Sequence, residues 1–318
     1  MTTRTPASSE PVDRRTFLKA GALGVGTLAG EALVDTRRLR AANADPAPVA
    51  PVNGEAPSPL IDVNVSLSHW PFRRLPGDEI NDLVAELRRQ RVSQAWAGSF
   101  DAILHRDLAG VNTRLAAACR THGQGLLLPF GAVNPKLPDW EDDVRRCQEE
   151  HGMVGLRLHP NYHGYQLDDP DFVKLLDLAA ARKLIVQIPL TMEDERTQHP
   201  LVLVKHVDPT PLLEHAKRLP HLQLVLLNAF RSLRGEKLEA LAKTGNITFD
   251  IAMLELVGGV GDLLQKIPVD RVLFGSHAPF FYFESAALKL KESALDADQL
   301  RAIGSGNATR VLGPRSST

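Results

Sequence analysis

Arg157 and His159 stand one residue apart in the run Gly155-Leu156-Arg157-Leu158-His159-Pro160. Polar and apolar residues that alternate in this way mark a strand with two unlike faces. A guanidinium on the inner face of such a strand is costly to bury unless it is paired or holds an anion. Asp62 or Asp250 could be its internal partner, and a substrate carboxylate could be its external one. The same alternation puts Asp62, Asn64 and Ser66 on one face of Leu60–Ser66. Gln187, Asn228 and Asp250 fall in or at the ends of three further aliphatic runs, and His277 follows Gly275 and Ser276 after a fourth.

These residue types suit acid–base work on a carbonyl compound. Imidazole exchanges protons near neutrality, and amide groups can donate to a developing oxyanion. His277, His159 and Asp250 are the candidate catalytic residues. His277 is assigned the proton from water. Arg157, with help from Arg73 or Arg74, is assigned the substrate carboxylate. Asn64, Gln187 and Asn228 are candidate oxyanion donors. Ser66, Tyr162 and His163 complete the candidate substrate-binding set, with Tyr162, His163 and His159 positioning substrate or moving a proton. His69, His105 and His199 lie in or near the same loops. The stretch Met192-Glu193-Asp194-Glu195-Arg196 reads either as a lid with a useful carboxylate or as a solvated acidic turn. Cys119 and Cys147 sit at apolar-face spacing on helices and are expected in the core. They have no metal-ligand spacing.

Eight strands are needed to aim these groups at one place. The aliphatic runs are Leu60–Ser66, Val92–Ser99, Leu126–Val133, Val154–His159, Leu184–Pro189, Leu222–Asn228, Ile247–Ala252 and Arg271–Ser276. Amphipathic segments alternate with them: Asp78–Arg91, Asp107–His122, Asp139–Glu150, Asp171–Arg182, Pro211–Leu219, Leu233–Lys243, Gly258–Lys266 and Glu284–Glu292. Asp78, Asp107 and Asp139 are expected N-caps, and Pro211 suits a first helical turn. Eight βα units in about 250 residues predict an α/β fold, the (β/α)8 TIM barrel, as a single domain. A doubly wound sheet would want a glycine-rich loop after its first strand. Here that strand runs into Ser66-Leu67-Ser68-His69-Trp70.

The chain has 318 residues, with 37 basic and 38 acidic side chains and a formal charge of −1. Such a balance argues against nucleic acid as a partner. Aromatic residues, at 5%, are too few for a base-stacking surface. No run of eighteen apolar residues predicts a membrane span. The N-terminus reads Asp13-Arg14-Arg15-Thr16-Phe17-Leu18-Lys19 before a Gly/Ala-rich, weakly apolar stretch. This resembles a twin-arginine export signal. Residues 1–44 are therefore expected to be a leader, with Ala42-Asn43-Ala44 as its cleavage site. Residues 45–59 form a Pro/Ala-rich linker, 60–313 the barrel and 314–318 a tail. The twin-arginine translocation machinery is the expected partner, and the periplasm the expected location.

Four segments carry a family resemblance: Leu60-Ile61-Asp62-Val63-Asn64-Val65-Ser66, Gly155 to Pro160, Phe274-Gly275-Ser276-His277-Ala278-Pro279, and Gly306-Asn307-Ala308-Thr309-Arg310. With them the chain resembles the amidohydrolase-related TIM-barrel family over residues 60–313. The resemblance implies His-x-His on strand one, a histidine on each of strands five and six, and an aspartate on strand eight, holding one or two divalent metals. The matching positions are Asn64 and Ser66, Gln187, Asn228 and His277. Amides and a hydroxyl are weak ligands for zinc. A site without metal is thus expected, with a rebuilt metal site on His159, His163, His199, His277 or Glu193 as the alternative. Metal-independent lactonases of pyrone dicarboxylates are a precedent in the same broad family. The expected function is hydrolysis of a small carboxylate-bearing lactone, ester or cyclic amide. The rivals are a metal-dependent hydrolase or decarboxylase with a rebuilt site, and a binding protein that keeps the pocket without turnover.

Overall fold

Each of the eight aliphatic runs is a strand, and all neighbours pair in parallel. The computed structural model describes residues 59–314. The leader, all of the linker except Pro59, and residues 315–318 lie outside the described residues. The strands are β1 Leu60–Leu67, β2 Val92–Ser99, β3 Leu127–Gly131, β4 Gly155–Arg157, β5 Ile185–Pro189, β6 Leu224–Leu227, β7 Ile247–Asp250 and β8 Val272–Leu273. Their order in the sheet is their order in the chain. Closure comes from β1 and the residues that follow β8. The Val63 N–H donates to the Phe274 carbonyl at 3.0 Å, and the Ser66 N–H to the Ala278 carbonyl at 2.9 Å. The predicted barrel is thus present.

The helices that return the chain are α1 Ile80–Arg89, α2 Leu108–Ala118, α3 Trp140–Glu149, α4 Pro160–His163, α5 Pro170–Ala181, α6 Leu212–Arg218, α7 Gly235–Ala242, α8 Gly259–Leu264 and α9 Phe283–Glu292. After them come α10 Ala297–Arg301 and α11 Asn307–Leu312. Sequence periodicity missed α4, α10 and α11, which are too short to show a repeat. Asp107 caps α2 as expected, accepting from the Gly110 N–H at 2.8 Å. Asp78 does not cap α1: its carboxylate is taken by Arg74 Nε and Nη2 and by the Leu75 N–H. Asp139 precedes α3 at φ 57° and makes no side-chain cap.

Two apolar layers form on the two faces of the strands. Val65, Leu156, Leu158, Val186, Ile188, Leu224, Leu226 and Phe249 pack with helix residues such as Leu87, Leu115, Phe172 and Leu212. Residues of opposite parity, among them Trp96, Phe130, Ile185, Val225 and Leu273, form a second cluster that fills the barrel. Trp96 and Phe130 stack there at 5.0 Å. Cys119 and Cys147 are both buried, as expected.

One buried amide ties a helix to the sheet. Asn112 of α2 donates to the Ala132 carbonyl at 2.8 Å and accepts from the Ala132 N–H at 2.7 Å. Asn112→Ala strands both backbone groups, so stability is expected to fall by about 2–4 kcal/mol. Urea unfolding monitored by circular dichroism measures it, and a change within experimental error would show that water replaces the amide freely.

Candidate functional site

The inward polar residues of β1, β4, β5 and β7, with those just after β4, β6 and β8, form one layer across the barrel. Asp62, Asn64, Ser66, Arg157, His159, Gln187, Asn228, Asp250 and His277 are all buried. Their hydrogen bonds fall into two sets, and His159 belongs to neither.

Arg157 centres the first set. Its Nε donates to Gln187 Oε1 at 2.8 Å. Nη1 donates to the Val65 carbonyl at 2.7 Å and Ser66 Oγ at 3.3 Å. Nη2 donates to the Val63 carbonyl at 3.3 Å and the Trp96 carbonyl at 2.9 Å. A guanidinium has five N–H donors, and here every one has an acceptor. Gly98 makes the space, because a Cβ there would lie 2.7 Å from Arg157 Cδ. The pairing register of β1 with β2 breaks between Asp62 and Val65, and at that break the Val63 and Val65 carbonyls meet the guanidinium. This corrects the assignment of Arg157 as a carboxylate clamp, since no N–H is left for a substrate. It also corrects the idea of an ion pair: Asp62 and Asp250 influence Arg157 only through space. Burial lowers the Arg157 pKa to about 10, so the group stays charged at neutral pH.

Asp250 centres the second set. Its Oδ2 accepts from Asn64 Nδ2 at 2.6 Å and its Oδ1 from the Asn228 N–H at 2.8 Å. Asn64 Nδ2 also donates to Asn228 Oδ1 at 2.9 Å, and Asn228 Nδ2 to the Thr191 carbonyl at 2.9 Å. Gly275 permits this approach, since a Cβ there would sit 2.7 Å from Asp250 Oδ2. Asp62 accepts from Ser276 Oγ at 2.5 Å and from the Ser276 and Asn64 N–H groups, both at 3.0 Å. Burial pushes both Asp62 and Asp250 up to about 6. Asp250 therefore orients the two asparagines, and both its oxygens are committed. Gln187 is committed as well, donating to the Val63 carbonyl at 2.8 Å. The two N–H bonds of Asn64 are used up, so the expected oxyanion role has no free donor on that residue.

The histidines differ. His277 follows β8 in the left-handed region, at φ 60°. Its Nε2 lies 2.8 Å from the Met192 carbonyl, which can only accept. Nε2 is therefore protonated and Nδ1 carries the lone pair. Nδ1 is buried with no partner. The 3.4 Å contact between His277 Nε2 and Asn228 Nδ2 then sets donor against donor and is no hydrogen bond. Burial lowers the His277 pKa to about 4, so the ring is neutral at physiological pH. His163 is arranged alike, with Nε2 at 2.8 Å from the Ala102 carbonyl and Nδ1 unpartnered. His159 lies beside it at 6.0 Å between rings, also with a buried, unpartnered Nδ1. Burial lowers both their pKa values.

An aromatic cover lies over the layer. Trp70 packs edge-on against Phe280 at 5.1 Å, Phe100 at 5.3 Å, Phe72 at 5.5 Å and Tyr162 at 6.4 Å. Phe280 stacks on the His277 ring at 4.9 Å. Arg73 sits over the Phe280 ring at 5.1 Å and donates to Glu193 at 2.9 Å. Arg73 is 41% exposed and Glu193 only 2%. The Met192–Arg196 stretch is thus split: Met192 and Glu193 are part of the cover, and Asp194 is a surface partner of Arg196 and Arg231. The buried Trp70 Nε1–H has no acceptor. Sequence reasoning missed Trp70, Phe280 and the Met192 carbonyl, because a loop aromatic or a backbone oxygen carries no pattern. His69 and His199 are exposed and stand outside the layer.

The part of the layer formed by Asn64, Ser66, Gln187 and Asn228 does not suit a divalent metal. Asn64 presents its N–H groups, Gln187 Oε1 is held by a cation, and the His277 nitrogen nearest Asn228 bears a proton. A permanent positive charge sits among them. Among the described residues one group, His69, Asp78 and Glu79, has metal-like spacing, and it lies outside the layer. Arg74 already binds both Asp78 oxygens and Glu79.

The amidohydrolase family model matches residues 61–313. Among curated proteins, none matches this sequence. Solved structures with the same fold include 5-carboxyvanillate decarboxylase from Sphingomonas paucimobilis, with 13% identity, 80% of this chain and 98% of that one covered, and a TM-score of 0.61. Dihydroxybenzoic acid decarboxylase from Polaromonas sp. JS666, solved with manganese and an inhibitor, gives 13% identity, 80% and 96% coverage, and 0.61. A Metarhizium anisopliae IDCase in apo form gives 14%, 80% and 97%, and 0.58.

The buried carboxyls make a pH test. A carboxyl whose pKa is raised on folding adds stability below its unfolded value, and that stability is lost as pH rises through the folded value. Asp250→Asn removes this dependence and adds a fixed cost from the mismatched amide. The stability difference between variant and parent should therefore move by ~2–3 kcal/mol in favour of the variant between pH 4 and pH 8. Urea titrations at the two pH values measure it. A difference independent of pH would mean that Asp250 does not titrate in this range.

Proposed function

The chain belongs to the amidohydrolase family, and from that premise we propose that it is a metal-independent hydrolase of a small carboxylate-bearing lactone, ester or cyclic amide. The observation that carries the reading is the His277 imidazole. A backbone carbonyl fixes its Nε2–H, and the Nδ1 lone pair is left buried and unpartnered beneath the aromatic cover. A base oriented by a third group is the usual arrangement for activating a nucleophile.

In this reading His277 Nδ1 takes a proton from water, the water oxygen adds to the substrate carbonyl, and the proton passes to the leaving oxygen or nitrogen. Trp70 Nε1–H is the free donor for the carbonyl oxygen. His159, His163 and Tyr162 line the approach. The carboxylate falls to Arg73, because Arg157 is saturated. Arg73 would exchange Glu193 for the substrate, and its release would loosen the cover. A second reading, binding without turnover, is favoured by the closed network around Arg157 and Asn64, which leaves few groups free for chemistry.

His277→Ala is expected to lower turnover roughly 10²–10⁴-fold on a panel of lactones, esters and cyclic amides bearing a carboxylate. Only the neutral ring accepts a proton, so parent activity should rise with pH through about 4 and be flat from pH 6 to 8. Ring opening without carbon dioxide release separates hydrolysis from decarboxylation. Full activity in His277→Ala would remove this residue from the mechanism, and ligand binding with no product in either protein would favour the second reading.

We also propose export by the twin-arginine route, on Arg14 and Arg15 before Phe17 and Leu18. Replacing both arginines by lysine keeps the charge. Retention in the cytosol is the expected result of cell fractionation, and unchanged location would refute the assignment.

A further inference from the structure

We propose that the Arg157 guanidinium is the resident cation of this barrel, standing where other chemistry would place a metal, and that it keeps divalent ions out of the polar layer. The inference concerns binding and charge and does not rest on turnover.

Three observations carry it. The guanidinium is buried, and its acceptors come from three strands: the Val63 and Val65 carbonyls and Ser66 Oγ of β1, the Trp96 carbonyl of β2, and Gln187 of β5. A group held by so many fixed dipoles cannot swing aside for a ligand. Next, the chain makes room for it by omitting a side chain at Gly98. Last, the layer already balances its own charge. Asp62 and Asp250 are the carboxyls within the layer, and Arg157 acts on both through space. Lys289 adds a second, partly buried cation near Asp250, donating to the Ile251 carbonyl at 3.1 Å and the Ala252 carbonyl at 2.5 Å. Arg157 and Lys289 therefore offset Asp62 and Asp250, and Arg73 offsets the buried Glu193, so a divalent ion would add charge with no unpaired carboxylate to meet it. It would also find the oxygens of Gln187 and Asn228 occupied by N–H donors.

The test uses the full chain and two readouts. Purified protein is dialysed against zinc or manganese, its metal content is measured, and its melting temperature is compared with and without EDTA. Metal far below one equivalent and an unchanged melting temperature are expected. One equivalent retained, with a rise in melting temperature that EDTA reverses, would overturn the proposal. Arg157→Met and Arg157→Lys are then compared. Met removes the charge and leaves five acceptors empty, whereas Lys keeps the charge and three donors, so Met should melt well below Lys; equal melting temperatures would overturn the role of the cation. If neither variant folds, Gly98→Ala decides. Its Cβ displaces the guanidinium, and a fall of roughly 2–10 °C is expected. An unchanged melting temperature would show that the cage is loose, and would sink the proposal.

Discussion

A guanidinium taken out of water must find an acceptor for each N–H, and much of the barrel interior follows from meeting that requirement for Arg157. β1 breaks its register with β2 where the Val63 and Val65 carbonyls are needed. Position 98 on β2 has no side chain, because one would strike the Arg157 stem. Gln187 is turned so that its oxygen meets Nε, and its amide N–H then goes back to Val63. Fixed carbonyl dipoles do what a counter-ion would do, without introducing a second charge to desolvate.

The floor so formed is rigid, and the cover over it is made differently. The floor is held by buried hydrogen bonds in which a lost partner leaves an unsatisfied group. The cover rests on aromatic edge contacts and on the half-exposed Arg73 with Glu193. A partly solvated ion pair of that kind contributes little, of the order of 0–1 kcal/mol. Whatever reaches His277 must therefore come through the aromatic cover and not through the polar layer. Neutral imidazoles lie between the two, with lone pairs that no donor among the described residues uses.

Membership of the amidohydrolase family fixes the scaffold and leaves the chemistry to the site. Solved relatives at such low identity share the barrel alone. In this chain amides, a hydroxyl, two carboxyls and an imidazole face the barrel axis, with a cation built into their midst. A common fold thus carries an interior whose charge is set by side chains.

Much of the architecture could be read from the sequence, because strands and helices repeat with periods that local residues reveal. All eight strands were legible, and so was the inward face of Asp62, Asn64, Arg157, Gln187 and Asp250, since alternation needs no knowledge of neighbours. The cap at Asp107 was equally local. What the inward groups do was not legible. Arg157 looks like an anion clamp until five acceptors from three strands are seen around it. His277 looks like an ordinary imidazole until burial drives its pKa down and the Met192 carbonyl selects its tautomer. Asp78 looks like a cap until Arg74 claims it. Residue type and order sufficed for the barrel and for which side chains enter it. Saturation, protonation and cover depend on atoms distant in the chain, so only the tertiary structure could decide them.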